Sequence, residues 1–287
     1  MNTPQPNTVG DLHAHLVQSL RDAGIDEAAA KADWWLAENL GLSPSQLPDR
    51  SSDRIPSTLE SLWPTALARL ARHEPLAHVL GHVPFHELSL GSDSRALIPR
   101  PETEELVSLL LANTAWWEAC PRTVVDVGTG SGCIALALAH ARPEAHVYGI
   151  DQSPDALDLA RDNATRCGLE RVRFCHGDLL ADWDQGPIDL VVANLPYIPS
   201  SDCDTLSPEV RDFDPRSALD GGADGLNLIR RLTPQAYGFC RGDSRLALEI
   251  GAEQGDSVLS IVRAVYGANV QVKPDFLGKP RFVFAHV

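Results

Sequence analysis

Apolar residues recur at helical spacing through roughly the first 80 residues of the chain. Leu12, Leu16 and Leu20 mark the buried face of a first predicted helix. A second, alanine-rich helix is expected next, and a third over residues 57–72. The pattern therefore predicts a small helical domain over residues 1–82.

Two runs with strand character follow this helical part. They cover residues 85–90 and 95–98 and enclose the turn-forming segment Gly-Ser-Asp at residues 91–93. We expect a β-hairpin here, which links the helical domain to the rest of the chain over residues 83–101.

From residue 102 onward, short apolar runs alternate with segments of helical pattern. This alternation predicts an α/β fold, with a mostly parallel sheet covered by helices on both faces, over residues 102–287. The predicted strands are 123–127, 146–150, 172–176, 190–193, 246–250, 270–272 and 282–285. Because such sheets bind ligands at the carboxyl ends of their strands, the residues that follow each strand are the candidates for a binding site.

The charge of the chain narrows the class of partner. The 287 residues carry a net charge of −15 at pH 7, and 44% of them are hydrophobic, enough for a packed core. Proteins that grip bare nucleic acid normally present a basic face. The composition therefore favours a protein or small-molecule substrate, and we expect no direct nucleic-acid partner.

The six cysteines and the N-terminus indicate the compartment. No two cysteines form a C-x-x-C pair, so we expect no zinc or other metal site. In a chain of this length they are typical of reduced thiols in the cytoplasm. The N-terminal MNTPQPNT lacks the pattern of a signal peptide, and no long apolar run predicts a membrane span. We therefore expect a cytoplasmic protein without membrane contact.

A glycine-rich loop follows the first strand of the large domain and leads into a helix. Glycines let a ligand lie against the backbone, and the helix N-terminus behind them favours an anionic group. The dinucleotide fingerprint would place its third glycine at position 133, which is Cys133. The pattern D-x-G-x-G-x-G instead resembles the S-adenosylmethionine loop of the seven-stranded methyltransferases. On that resemblance the cofactor-binding residues here are Gly128, Thr129, Gly130, Ser131 and Gly132.

Acidic residues end the next two strands. Asp151 lies roughly 20 residues after the glycine loop, where a carboxylate can accept hydrogen bonds from ribose hydroxyls. Asp178 and Leu179 follow the third strand, and an aspartate there contacts the adenine amino group in the superfamily that the loop resembles. We expect all three residues in the cofactor site, with a capped turn as the alternative for Asp178.

The segment Ala-Asn-Leu-Pro-Tyr at residues 193–197 ends the fourth strand. Its N-x-P-Y pattern resembles the N-P-P-Y motif of methyltransferases that act on planar nitrogens. Such a nitrogen is a poor nucleophile, because its lone pair is delocalised. The Asn194 side-chain oxygen and the Leu195 carbonyl can accept its N–H bonds and stabilise the developing cation. Pro196 stiffens the turn that holds these acceptors, and Tyr197 can stack on the flat target group.

These four residues are the predicted catalytic and substrate-binding residues, and Asn194 is expected to contact the cofactor as well. Leu195 replaces the first proline of the motif, which costs stiffness but leaves the backbone carbonyl in place. N-L-P-Y also resembles the motif of ribosomal-RNA adenine dimethyltransferases, so a nucleic-acid substrate stays open. A strand-ending turn with a hydrogen-bonded asparagine is the purely structural alternative.

Further motifs occur in the order found in one family. IPRPETE covers residues 98–104, DVGTGSG residues 126–132 and GGADGL residues 221–226. With the N-x-P-Y segment and the helical N-terminal domain, they make nearly the whole chain resemble the PrmC family of peptide chain release factor glutamine N5-methyltransferases. The resemblance implies a seven-stranded, Rossmann-like class I S-adenosylmethionine-dependent methyltransferase domain, joined by the hairpin to the helical domain.

The resemblance also implies the substrate. The methyl acceptor would be the side-chain amide nitrogen of the glutamine in the Gly-Gly-Gln motif of release factors, and the donor would be S-adenosylmethionine. The helical domain would supply part of the release-factor contact, and we expect a monomer. Leu179 stands where family members can carry tryptophan, and Asp214 where glutamate is usual. Neither difference removes a catalytic group.

Other functions stay open from the sequence. The relative that methylates a ribosomal-protein glutamine shares the motif, although EVRDFDPRSAL at residues 209–219 favours the release-factor branch. Methylation of an adenine or cytosine amino group in nucleic acid is disfavoured by the acidic composition. A cofactor-binding module without catalysis is disfavoured by the acceptors at Asn194 and Leu195.

Overall fold

The computed structural model describes residues 6–118 and 121–287. Cys120, one of the six cysteines, lies outside the described residues. The chain divides into two compact units. The helical unit contains the residues up to Gly81 together with Pro208–Phe213, and the sheet unit contains His82–Ser207 and Asp214–Val287.

Helices and strands follow one another along the chain in a pattern close to the predicted one. The helices are α1 (Val9–Asp22), α2 (Ala28–Leu40), α3 (Ser57–Leu70), α4 (Leu76–Leu80), α5 (Pro101–Leu111), α6 (Thr114–Glu118), α7 (Cys133–Ala141), α8 (Pro154–Arg166), α9 (Pro208–Arg211), α10 (Asn227–Phe239) and α11 (Gly255–Tyr266). The strands are β1 (His82–Phe85), β2 (Leu88–Gly91), β3 (Thr123–Val127), β4 (His146–Asp151), β5 (Arg173–His176), β6 (Ile188–Asn194), β7 (Cys240–Glu249), β8 (Val270–Pro274) and β9 (Pro280–His286). Across the described residues, no helix combines the length and apolar character needed to cross a membrane.

The helical unit is built on the apolar stripe that the sequence predicts. Thr8 and Asp11 form a capping box at the start of α1, in which each side chain accepts a hydrogen bond from the other residue's backbone N–H at 3.1 Å. Leu12 and Leu16 are buried and pack in one cluster with Trp35 of α2. The three helices predicted for this part of the chain are confirmed.

A short segment distant in sequence completes the helical unit. Residues 208–213 carry α9, and Glu209 there accepts a hydrogen bond from the Lys31 ammonium at 2.5 Å. The Lys31 side chain is only 11% exposed, so this ion pair neutralises a largely buried charge. The sequence pattern does not predict that this segment belongs with the helices.

The β-hairpin of the sheet unit lies earlier in the chain than predicted. β1 and β2 pair antiparallel with Phe85 opposite Leu88, so the turn falls at His86 and Glu87. The prediction of strands at 85–90 and 95–98 is therefore wrong, and residues 95–98 are irregular. His86 adopts a φ of 50°, and its backbone and ring both form hydrogen bonds with Glu104. These bonds stabilise the turn, which contains no glycine.

The seven-stranded sheet has the order β5-β4-β3-β6-β7-β9-β8. Pairs β3–β4, β4–β5, β3–β6 and β6–β7 are parallel, and β9 runs antiparallel to both of its neighbours. All seven predicted strands are confirmed, and so is the α/β fold class. The chain order reverses between β3 and β6, and ligands of such sheets bind beyond the carboxyl ends of the strands at this point.

The core lies on both faces of the sheet. Along β3 and β6, Val124 and Leu190 face one apolar cluster with α5 and α7, whereas Val125 and Val191 face another with α10 and α11. All four are fully buried, which explains why these strands read as continuous apolar runs. The rigid sheet therefore holds the strand ends that carry the candidate site.

Candidate active site

The glycine loop between β3 and α7 is anchored to the neighbouring strand. Gly128 and Thr129 donate backbone hydrogen bonds to the Ile150 carbonyl at 2.8 and 3.0 Å. Gly128, Gly130 and Gly132 all adopt positive φ angles, which favour glycine. A Cβ on Gly128 would also lie 2.9 Å from the terminal methyl group of Leu195, so that side chain would have to shift.

Asp151 links the loop to the next helix. One carboxylate oxygen accepts from the Gly130 N–H and the other from the Ser153 N–H, both at 2.9 Å. Its side chain is therefore fixed at the cavity wall by two backbone donors. Each oxygen keeps further acceptor capacity, as a ribose diol would require.

Asp126, near the end of β3, stabilises the glycine loop through hydrogen bonds. It was not among the site residues predicted from the sequence. It is fully buried and accepts from the Thr129 hydroxyl at 2.6 Å and from the Ala135 N–H at 3.2 Å. Burial raises the pKa of the Asp126 carboxyl to about 7. Among the described residues its Oδ1 has no hydrogen-bond partner. Asp126 is the first residue of the D-x-G-x-G-x-G pattern, which could have identified it from the sequence.

Asp178 and Leu179 also line the cavity. The Asp178 carboxylate accepts a hydrogen bond from the Arg231 guanidinium at 2.6 Å and is about half exposed. Leu179 is buried and adopts a φ of 56°, a rare conformation for a residue with a Cβ. Through this turn, the residues that follow β5 line the cavity.

The residues of the N-x-P-Y segment follow β6 at the same edge of the sheet. Asn194, Leu195 and Pro196 line the cavity, and the Asn194 amide donates to the Thr103 hydroxyl at 3.0 Å. Tyr197 lies outside the lining residues, and burial raises the pKa of its hydroxyl to about 12. Gly132 also lies outside the lining, because it packs against Phe174 and other core side chains.

The segment GGADGL at residues 221–226 holds this loop through its backbone. Gly221 donates to the Ile198 carbonyl at 2.8 Å, and Ser200 donates to the Gly222 carbonyl at 2.9 Å. A Cβ on Gly221 would lie 2.5 Å from the Pro196 carbonyl oxygen. The sequence offered this motif only as part of a resemblance, but here it has a structural reason.

Residues 95–100 form a further wall of the cavity, and an ion pair between the partly exposed Arg100 and the buried Asp214 fixes it. Asp214, whose side chain is fully buried, accepts from the Arg100 guanidinium at 2.7 Å and from the Ile98 N–H at 3.5 Å. Pro101 begins α5 directly after this wall, as a proline suits the first helical turn. The IPRPETE segment therefore both starts a helix and borders the cavity.

The cavity suits an adenosine. Ile150 and Leu179 offer apolar contact for a flat base, and Asp151 offers acceptors for a diol. A Cβ built on Gly130 would lie 3.9 Å from its nearest neighbour, the Ala96 side chain. The backbone of the loop is therefore accessible to a ligand at this residue. Within the described residues, no group of three side chains could hold a metal ion.

Comparison with known proteins agrees with this geometry. The family model described as a methyltransferase domain matches residues 122–236, and that described as the PrmC N-terminal domain matches residues 11–81. A Thermus thermophilus 16S rRNA N2 methyltransferase, solved with AdoMet and guanosine, is 15% identical with a TM-score of 0.53. The match covers 71% of this chain and 49% of that chain, and it shows the fold.

The sheet, the glycine loop and the cavity define a class I methyltransferase that uses S-adenosylmethionine. A release factor glutamine methyltransferase from Moorella thermoacetica is 40% identical, over 94% of this chain and 95% of that relative. One from Deinococcus radiodurans is 39% identical, over 96% and 97%. The chain belongs to the family of release factor glutamine methyltransferases, which confirms the resemblance stated from the motifs.

Proposed function

We propose that this protein transfers a methyl group from S-adenosylmethionine to a glutamine side-chain amide nitrogen of peptide chain release factors, in their Gly-Gly-Gln motif. The observation that carries the proposal is the match to release factor glutamine methyltransferases over 94% of the chain, at 40% identity. The match extends through both the helical and the sheet unit, so it includes more than the common methyltransferase domain.

The cofactor end of the cavity would be held by the glycine loop, Asp151, and the turn at Asp178 and Leu179. When bound, S-adenosylmethionine supplies an electrophilic methyl group on a sulfonium sulfur. Asp151 is positioned before binding by the Gly130 and Ser153 N–H groups, so it loses little freedom when it accepts from a ribose. The Asp178 carboxylate keeps one oxygen beyond its bond to Arg231 for an amino group.

At the other end, Asn194 and Leu195 would receive the glutamine. The side-chain oxygen of Asn194 and the carbonyl of Leu195 accept the two N–H bonds, which favours the nitrogen as it becomes cationic. Held by these acceptors, the glutamine nitrogen would take the methyl group, the sulfur would leave as a neutral thioether, and one N–H proton would pass to water. Pro196 limits the motion of the acceptors. The stacking of Tyr197 on the planar amide stays a prediction, because Tyr197 lies outside the lining of the cavity.

The remaining assignments concern recognition. The helical domain, residues 1–82, would contact the release factor outside the cavity, and most of the affinity would come from that contact. The reaction would take place in the cytoplasm, by a monomer, without direct contact to nucleic acid.

Methyl transfer to purified release factor tests the proposal. The protein is incubated with labelled S-adenosylmethionine and either intact release factor or a Gln→Ala version of its Gly-Gly-Gln motif. Label on the intact factor alone is the expected result. Absence of label on both would reject the release-factor assignment, and a ribosomal-protein glutamine and ribosomal RNA would be the next substrates to assay.

A further inference from the structure

Three side chains form a hydrogen-bonded chain behind the cavity. Asn194 at the end of β6 lies opposite Glu249 at the end of β7. Thr103, in the first turn of α5, lies between them: its hydroxyl donates to Glu249 Oε2 at 2.8 Å and accepts from Asn194 Nδ2 at 3.0 Å. Thr103 and Glu249 are each only 2% exposed, so water does not compete for these bonds.

The chain has one consistent direction when Glu249 is ionised. A carboxylate accepts only, so the single hydroxyl proton of Thr103 is committed to Glu249. The Thr103 oxygen is then available only as an acceptor, and the Asn194 amide must turn its NH₂ group towards it. This leaves Oδ1 as the amide atom that faces the cavity.

A free amide can present either of its two ends. If Asn194 presented its NH₂ group to the cavity, a donor would face the N–H bonds of the glutamine and repel them. Whether Asn194 presents its oxygen to the cavity therefore depends on Thr103 and Glu249. Both of these side chains are buried. Burial raises the pKa of the Glu249 carboxyl to about 7, although the hydrogen bond from Thr103 lowers it, so the ionised form that sets this direction prevails above pH 7.

We propose that Thr103 and Glu249 are positioning residues that fix the Asn194 amide with Oδ1 towards the methyl-accepting nitrogen. The inference rests on the proposed function, because it concerns the orientation of the glutamine acceptor. It assigns to the threonine of IPRPETE a task in the reaction, besides its place in the first turn of α5.

The matched pair Thr103→Val and Thr103→Ser tests the inference. Valine keeps the shape of the side chain and removes the hydroxyl, whereas serine keeps the hydroxyl. We expect kcat on release factor to fall about 10- to 100-fold in Thr103→Val, with the KM for S-adenosylmethionine within about 2-fold. Thr103→Ser should stay within about 3-fold of the wild type. Cofactor affinity by calorimetry and thermal unfolding verify that each variant is folded.

Glu249→Gln gives a second test that keeps a partner for the Thr103 hydroxyl. Its neutral amide permits both directions of the chain, so kcat should lie between those of the wild type and Thr103→Val. A wild-type kcat in Thr103→Val, or an equal loss in Thr103→Ser, would overturn the positioning role. A loss of cofactor affinity in parallel with kcat would do so too. If the wild type leaves the glutamine unmethylated, the proposed function falls, and the positioning role falls with it.

Discussion

The Gly225→Ala substitution tests whether the backbone of GGADGL sets the position of the N-x-P-Y loop. Gly225 has a φ of 75°, and a Cβ there would lie 2.1 Å from the Tyr197 carbonyl oxygen. It would also lie 2.6 Å from Gln254 Nε2, which donates to that same carbonyl at 2.8 Å. The methyl group would therefore enter the contact that holds the loop.

Two costs follow from this geometry. A residue with a Cβ in the left-handed region costs ~1–2 kcal/mol. Relief of the clash needs a shift of about 1 Å in the loop or in residue 225, since carbon and oxygen do not approach much below van der Waals contact. A displacement of that size in a loop that holds catalytic groups can cost about 100-fold in rate. We therefore expect kcat to fall about 100-fold, whereas the midpoint temperature of thermal unfolding should fall by only a few degrees.

Gly168→Ala is the matched control. Gly168 has a φ of 66°, and among the described residues no atom lies within 4 Å of a Cβ built there. This variant carries the backbone strain without the clash, so it should lose stability but keep its kcat. Both variants are assayed for methyl transfer to release factor, for cofactor affinity and for thermal unfolding. If Gly225→Ala and Gly168→Ala transfer methyl groups at the same rate, the proposed role of the GGADGL backbone is refuted.

Three further predictions concern single side chains. Asn194→Ala should lower kcat about 100- to 1,000-fold, with a smaller loss of cofactor affinity from the contact that Asn194 is expected to make with the cofactor; unaltered kcat would remove the acceptor role. Asp151→Asn should weaken cofactor binding about 10- to 100-fold in calorimetry, since an amide cannot accept from both backbone donors and a diol; an equal Kd would contradict this. Burial raises the pKa of Glu249 from 4.5 to about 7, so the folded state holds its proton more tightly than the unfolded state. Stability should therefore fall by ~3 kcal/mol between about pH 4.5 and pH 7, and the urea unfolding of Glu249→Gln should lack this part of the slope.

Features written in local sequence were predictable. The helix start at Thr8 depends on Asp11 three residues later, and the glycine loop depends on a strand and a helix that flank it directly. Their side chains and backbone satisfy one another within a few residues, so spacing alone identifies them. The central strands β3 and β6 were predictable because strands buried on both faces are mostly apolar, whereas β5 at the edge of the sheet is largely exposed.

Features that depend on distant partners were not predictable. The hairpin turn at His86 is stabilised by Glu104, and the Asp178 carboxylate is engaged by Arg231 from α10. Likewise, the reason for glycine at position 225 is the carbonyl of Tyr197. These contacts join residues that are far apart in the sequence and follow no periodic pattern. They are therefore visible only in the folded structure.

The most direct test of the central claim is tandem mass spectrometry of release factor after reaction with the purified protein and S-adenosylmethionine. The account predicts a single added methyl group on the side-chain nitrogen of the Gly-Gly-Gln glutamine, and none in the reaction with Asn194→Ala at equal time. A methyl group on another residue, or an unmodified glutamine in the presence of bound cofactor, would contradict it.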